Sequence, residues 1–186
     1  MNRLLLITCF LAFSQDVSAQ NKASVIKCAL GRDGSRLVEV LRDHSIADTN
    51  VYYLRKDVDA VESIYPGDIN ESRGASMSFD CAGSPERALI ISGEFTSNYV
   101  QGMVVRYNSA RSEWERIDFA ERGRPTQLYL GPAELIVAIP NLGHETSKTY
   151  ILYRYISGKG QPSEPSASDA LPRSAGKEVV FLKQGQ

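Results

Sequence analysis

Residues that carry most enzyme chemistry are scarce in this sequence. Its 186 residues include two histidines, His44 in "RDHSIADTN" and His144 in "NLGHETSKT", three cysteines and one tryptophan. No G-x-S-x-G stretch accompanies the histidines, so the usual mark of a nucleophile elbow is missing, whereas a triad assembled in space is left open. Paired carboxylates for glycoside cleavage are equally unmarked, because their separation in space is not written in the sequence. No C-x-x-C spacing occurs, which removes that redox motif. Charge of one sign is also lacking: 21 Lys and Arg stand against 22 Asp and Glu, for a net charge of −1. A chain so balanced has no global basic excess to condense onto nucleic acid or an anionic membrane. The apolar run at residues 4–13 is about half the roughly 20 residues a spanning helix requires.

What the N-terminal stretch "MNRLLLITCFLAFSQDVSAQ" does have is the layout of an export signal. Arg3 opens it, the apolar run follows, and small residues at Val17, Ser18 and Ala19 provide a cleavage site after Ala19. Residues 20–186 then form one domain of ordinary length. Cys9 lies inside the apolar run and raises the alternative of a lipid anchor, against which Thr8 stands where a smaller residue is usual. With Cys9 removed, only Cys28 and Cys81 remain, and two thiols in an exported chain are expected to pair. The expected location is the periplasm, with an extracellular or lipid-anchored protein as the alternative.

Nearly every apolar segment is short, rich in Val, Ile, Tyr and Leu, and bounded by turn residues, which is the signature of strands. Eleven segments qualify: "SVIKCAL", "SRLVEVLR", "VYYLRK", "SMSFDC", "ALIISGEF", "MVVRYN", "EWERIDF", "TQLYLG", "ELIVAIP", "TYILYRYI" and "EVVFLK". The fold class is all-β, an antiparallel sandwich or barrel of about ten strands. "ALIIS" and "ELIVAI" are apolar on both faces and should lie centrally, covered on each side. In "DVDAVESIYPG", Asp59 and Glu62 have capping-box spacing and predict a single helical turn. The nearby acids Asp57, Asp59, Glu62 and Asp68 lack the alternating pattern of a calcium loop, so no metal and no cofactor is expected. Residues 158–177, dense in Pro, Ser and Gly, read as a flexible surface loop. Arg106, Arg111, Arg116, Arg122 and Arg124 are interleaved with Glu113, Glu115, Asp118 and Glu121 and read as a solvated sheet face.

Residues 88–117 carry a more specific pattern. Leu89-Ile90-Ile91 supply an inner strand, Gly93 follows, and Tyr107 and Trp114 stand seven positions apart in successive strands. This resembles a kelch-type propeller blade, and the resemblance implies a four-stranded unit with a binding rim. Ser92 replaces one glycine of the family's doublet, and the chain has no second tryptophan for another full repeat. An echo exists nonetheless: "VVRYNSAR" at 104–111 recurs as "LYRYISGK" at 152–159, and "RLVEV" with "VYYLRK" repeats the arrangement upstream. Three units are fewer than the four to eight blades of a closed propeller. A borrowed hairpin within a sandwich or barrel is therefore expected, with partial propeller-like blades as the alternative, and Tyr107 and Trp114 should pack across that hairpin.

In the three hairpins, His44 and His144 occupy equivalent connections, and the middle one carries Asn98 and Tyr99. If the units share an orientation, His44, Asn98, Tyr99, His144 and Glu145 gather as a rim at one end, suited to recognising a protein or a sugar. The expected function is that of a non-catalytic exported domain that binds another macromolecule, as inhibitors, immunity proteins and envelope accessories do. Two alternatives remain: a periplasmic hydrolase acting on wall glycan or peptide, and a structural envelope subunit donating "EVVFLKQGQ" to a neighbour. Neither nucleic acid nor an integral membrane segment is expected as a partner.

Overall fold

The computed structural model describes residues 22–95, 99–143 and 146–183. Its strands are β1 (Ala23–Leu30), β2 (Arg36–Ile46), β3 (Thr49–Lys56), β4 (Glu62–Ser63), β5 (Arg73–Ala82), β6 (Ala88–Glu94), β7 (Val100–Asn108), β8 (Glu113–Glu121), β9 (Gln127–Leu130), β10 (Glu134–Pro140), β11 (Tyr150–Ile156), β12 (Pro162–Ser168) and β13 (Glu178–Phe181). All eleven expected segments are strands, and the protein is nearly all-β. No helix among the described residues is long and apolar enough to cross a membrane. The signal peptide and Cys9 lie outside the described residues.

Two local expectations change. The helical turn does not form around Asp59 and Glu62; Glu62–Ser63 instead extend the sheet beside β3. A 3₁₀ turn comes later, at Ile69–Ser72, because Asp68 caps it: its Oδ1 accepts from the Asn70 N–H at 2.8 Å. Inside the 158–177 loop, β12 adds to β11 through the partners Tyr150↔Ser168 to Tyr155↔Pro162. All its residues before Ser168 are exposed, so neither face imposes an apolar alternation, and its two prolines confine it to an edge.

Seven strands run in the order β1-β2-β3-β5-β6-β7-β8, with β4 beside β3, and five more run β12-β11-β10-β9-β13. Neither sheet closes into a barrel, and the arrangement is sandwich-like. The eight-stranded path bends where β3 and β5 share only Asn50↔Gly74 and Val51↔Arg73. As a result, β1 to β3 face β6 and β7 across a core of Leu30, Val38, Val40, Leu54, Leu89, Ile91, Met103 and Val105. The opposite faces of β6 and β7 supply Ala88, Ile90 and Val104 to a second core, shared with Leu128, Leu135, Val137 and Ile139 of the five-stranded sheet. The strands β5 to β8 thus form a middle layer. This accounts for the continuous apolar run of β6, since each of its faces meets a different core. β10 is also covered twice, because Ile136 and Ala138 on its outer face pack with Tyr129, Leu152 and Leu171.

Cross-links tie the layers together. Cys28 on β1 and Cys81 on β5 are disulfide-bonded, with Cα atoms 5.7 Å apart. Tyr107 and Trp114 are register partners across β7 and β8, packed edge to face at 5.4 Å. The arginines do not form one solvated face: Arg111 and Arg122 are exposed, whereas Arg106 is enclosed. Arg106 and Glu115 are buried together, 1% and 0% exposed in their side chains, with Arg106 Nε donating to Glu115 Oε2 at 2.6 Å. Arg106 Nη2 also donates to the Gly131 carbonyl, and Asn108 Nδ2 donates to Glu115 Oε1, the Pro132 carbonyl and Ser157 Oγ. Arg124 reaches the Ser92 and Ser76 carbonyls. Side chains on β7 therefore reach the β9–β10 turn and the residue after β11, which the sequence pattern of alternating charge could not reveal.

Candidate binding cleft

Strand register brings three hairpin connections to one end of the fold. The start of β3 pairs with the start of β5, and that end of β5 pairs with the end of β6 through Ala75↔Glu94. β7 begins at the same end, where Val100 pairs with Glu121 of β8. Two residues beyond β8, Gly123 lies against the Pro140 carbonyl and Leu142, so that a Cβ on it would come within 3.1 Å and 3.2 Å of them. The connections β2–β3, β6–β7 and β10–β11 therefore share this end.

Of the expected rim residues, Asn98, His144 and Glu145 lie outside the described residues. His44 is at the surface with φ of 50°. Its Nδ1 is 3.3 Å from Asp43 Oδ2 and 3.4 Å from the Tyr53 hydroxyl, and its carbonyl accepts from Arg73 Nη1 at 2.8 Å. Tyr99 is half-buried, with the Arg122 guanidinium 5.5 Å from its ring centre.

Beside this rim is a cleft of about 530 Å³, lined by Tyr65, Pro66, Glu71, Gln101, Asp118, Phe119, Ala120 and Tyr153. Its floor is the last part of β8, and Gln101 comes from the start of β7, paired with Ala120 and two residues after Tyr99. One wall is built by the β4–β5 connection. Ser72, fully buried, holds that connection by accepting from the Tyr65 N–H at 2.9 Å and donating to the Tyr65 carbonyl at 3.2 Å. The Tyr65 ring packs edge to face on Phe95 at 5.0 Å. Its hydroxyl is enclosed and makes no hydrogen bond. Burial pushes the Tyr65 pKa far up, and the Asp118 carboxylate adds to the rise, so this phenol stays protonated and able to donate.

The other wall is Tyr153 of β11, packed against Phe119 with ring centres 6.4 Å apart. Tyr153 donates its hydroxyl proton to Glu121 Oε1 at 2.7 Å. On the floor, Arg116 holds the Asp118 carboxylate in a forked contact, Nε at 2.9 Å and 3.0 Å from its two oxygens, and donates through Nη2 to the Ile64 carbonyl at 2.8 Å. The same arginine thus orients an acid on the floor and fixes the wall that carries Tyr65. Such an apolar lining with a few fixed polar groups is the composition of a ligand site.

Tyr65, Asp118 and Tyr153 were not legible as site residues. They come from a turn before Pro66-Gly67, from the exposed phase of "ERIDFAE" and from "YILYRY", and no spacing connects them. Three of the four acids weighed for calcium have separate duties: Asp57 pairs with Arg36 at 3.1 Å, Glu62 with Lys56 at 3.0 Å, and Asp68 caps the 3₁₀ turn. A second cleft of about 410 Å³, at the opposite end, lies between the β1–β2 and β5–β6 turns and includes Arg32, Asp33 and Arg87; it has no aromatic lining. No protein-family model, curated protein or solved structure matches this chain.

Proposed function

We propose that this chain is an exported, periplasmic, non-catalytic β-domain that binds another macromolecule through the cleft beside the rim. The observation that carries this reading is the cleft itself: Tyr65, Phe119 and Tyr153 form aromatic walls around Gln101 and the Asp118 carboxylate, which Arg116 holds in place. Aromatic side chains supply large contact area at low cost in conformational entropy, which suits macromolecular recognition. The three connections at the same end can extend the contact beyond the cleft. Export is supported by the signal layout of the sequence and agrees with the Cys28–Cys81 disulfide, since such bonds persist in oxidising compartments.

The test is site-specific photo-crosslinking in intact cells. A photoreactive residue in place of Gln101 should give discrete high-mass adducts, whereas one in place of Arg32, at the opposite end, should not. Absence of adducts from position 101, or equal adducts from both positions, would refute the assignment of the binding end.

A further inference from the structure

We propose that the outer edge of β8 accepts an extended polypeptide segment of a partner protein as an added strand, with the cleft receiving its side chains. This deepens the binding function proposed above and rests on it. β8 ends its sheet, and its nine residues pair with β7 in unbroken register from Val100↔Glu121 to Asn108↔Glu113. Among the described residues no strand takes up its outer edge, so alternate N–H and C=O groups there face outward.

Protein sheets normally blunt such edges with bulges, prolines or short strands. The other edges of this protein are blunted in those ways. β1 is bulged between Ser24 and Ile26, β12 is bulged and contains Pro162 and Pro165, β13 has four residues and β4 two. β8 has none of these three features; its edge is guarded only by charge, from Glu113, Arg116, Asp118 and Glu121, which leaves it open to a strand of complementary charge, and its last part is the floor of the cleft.

The walls suit the geometry of a strand. Side chains of an added strand alternate between two faces, and the cleft offers Tyr65 on one face of the sheet and Phe119 with Tyr153 on the other. Main-chain bonds then supply affinity and the alternate pockets supply specificity. Charge selects the sequence of the occupant. Glu71 and Asp118 line the cleft; Arg116 already shares the Asp118 charge, so Glu71 carries the selection, and the inserted segment alternates apolar or aromatic residues with basic ones. A second copy of β8 fits poorly, because in full antiparallel register Glu113 and Glu121 would oppose each other at both ends. A glycan would use the aromatic walls but has no use for a row of alternating backbone donors and acceptors.

The experiment selects displayed nine-residue random peptides on the purified protein, with chitotetraose as a parallel glycan probe. Enriched peptides should alternate basic with apolar residues. N-methylation at one alternate set of their backbone positions should weaken binding at least tenfold, and at the other set hardly at all. Ala120→Arg, at an exposed floor position, and Glu71→Lys should each weaken binding about tenfold with unchanged thermal stability. The proposal is overturned if no peptide is enriched, or if N-methylation has no alternating effect. It also falls if binding ignores Ala120→Arg, if only chitotetraose binds, or if β8 mediates dimerisation of the chain. Adducts from position 101 without peptide binding would remove the strand assignment and leave the binding function standing; absence of both would remove the two together.

Discussion

Replacing Glu115 with leucine should strip the join between the middle layer and the five-stranded sheet of its central anion. In the native protein that carboxylate accepts from Arg106 Nε at 2.6 Å, from Asn108 Nδ2 at 2.7 Å and from the Ser157 hydroxyl at 2.5 Å, with every partner buried. After substitution Arg106 keeps the Gly131 carbonyl but stays buried without a counter-charge. Removing one member of a buried pair costs about 3–5 kcal/mol, mainly because the other charge is left uncompensated. For a chain of this size that corresponds to a fall in Tm of roughly 6–20 °C. Arg106→Met combined with Glu115→Leu should recover most of the loss, since apolar replacement of both partners is often neutral. Lys148 and Asp169 make an ion pair at 2.5 Å between largely exposed side chains. Asp169→Asn, the control, should cost no more than about 1 kcal/mol. Urea unfolding with the disulfide intact, followed by circular dichroism and by Trp114 fluorescence, gives the free energies. A loss below about 1 kcal/mol in Glu115→Leu, or a double variant as unstable as the sum of the singles, would refute the reasoning.

Intact-mass measurement of exported protein should show a chain beginning at Gln20 that gains two hydrogens on reduction; Cys28→Ser with Cys81→Ser should cost about 4 kcal/mol, the chain-entropy value for a loop of this length. Free thiols before reduction, or a lipid on Cys9, would contradict this. Limited trypsin digestion should cut first at Lys159 or Arg173, which flank the exposed β12, and first cuts within 88–156 would show the surface to be misassigned. Glu39 gives a pH dependence. Burial, the largest influence, pushes its carboxyl up, but hydrogen bonds from Ser24 and Arg55 and the charges of Arg55 and Lys27 outweigh it, and the net shift is downward. A depressed folded value means the stabilisation is complete above the ordinary carboxylate pKa of about 4.3 and is lost as pH falls through the lower folded value; Glu39→Gln should flatten the stability profile in that window. Tyr99→Ala and His144→Ala should weaken partner adducts from position 101 with little change in Tm, and an unaltered adduct yield would separate the rim from the binding surface.

The strands were legible because each is a local statement: a short run of β-branched and aromatic residues between turn formers, with both-faced apolar runs at β6 and β10 marking the strands to be covered twice. The pairing of Cys28 with Cys81 was legible because elimination left only two thiols. β12 was not, since an edge strand with no buried face carries no periodicity. Arg106 and Glu115 were misread for a related reason. Alternating charge looks the same whether the face meets water or another layer, and only the packing of the five-stranded sheet onto β7 and β8 enclosed Arg106 with Glu115. The cleft is likewise a tertiary product. Tyr65, Asp118 and Tyr153 belong to three separate stretches, and they meet because the bend between β3 and β5 and the face-to-face packing of the sheets bring their walls to the same edge of β8.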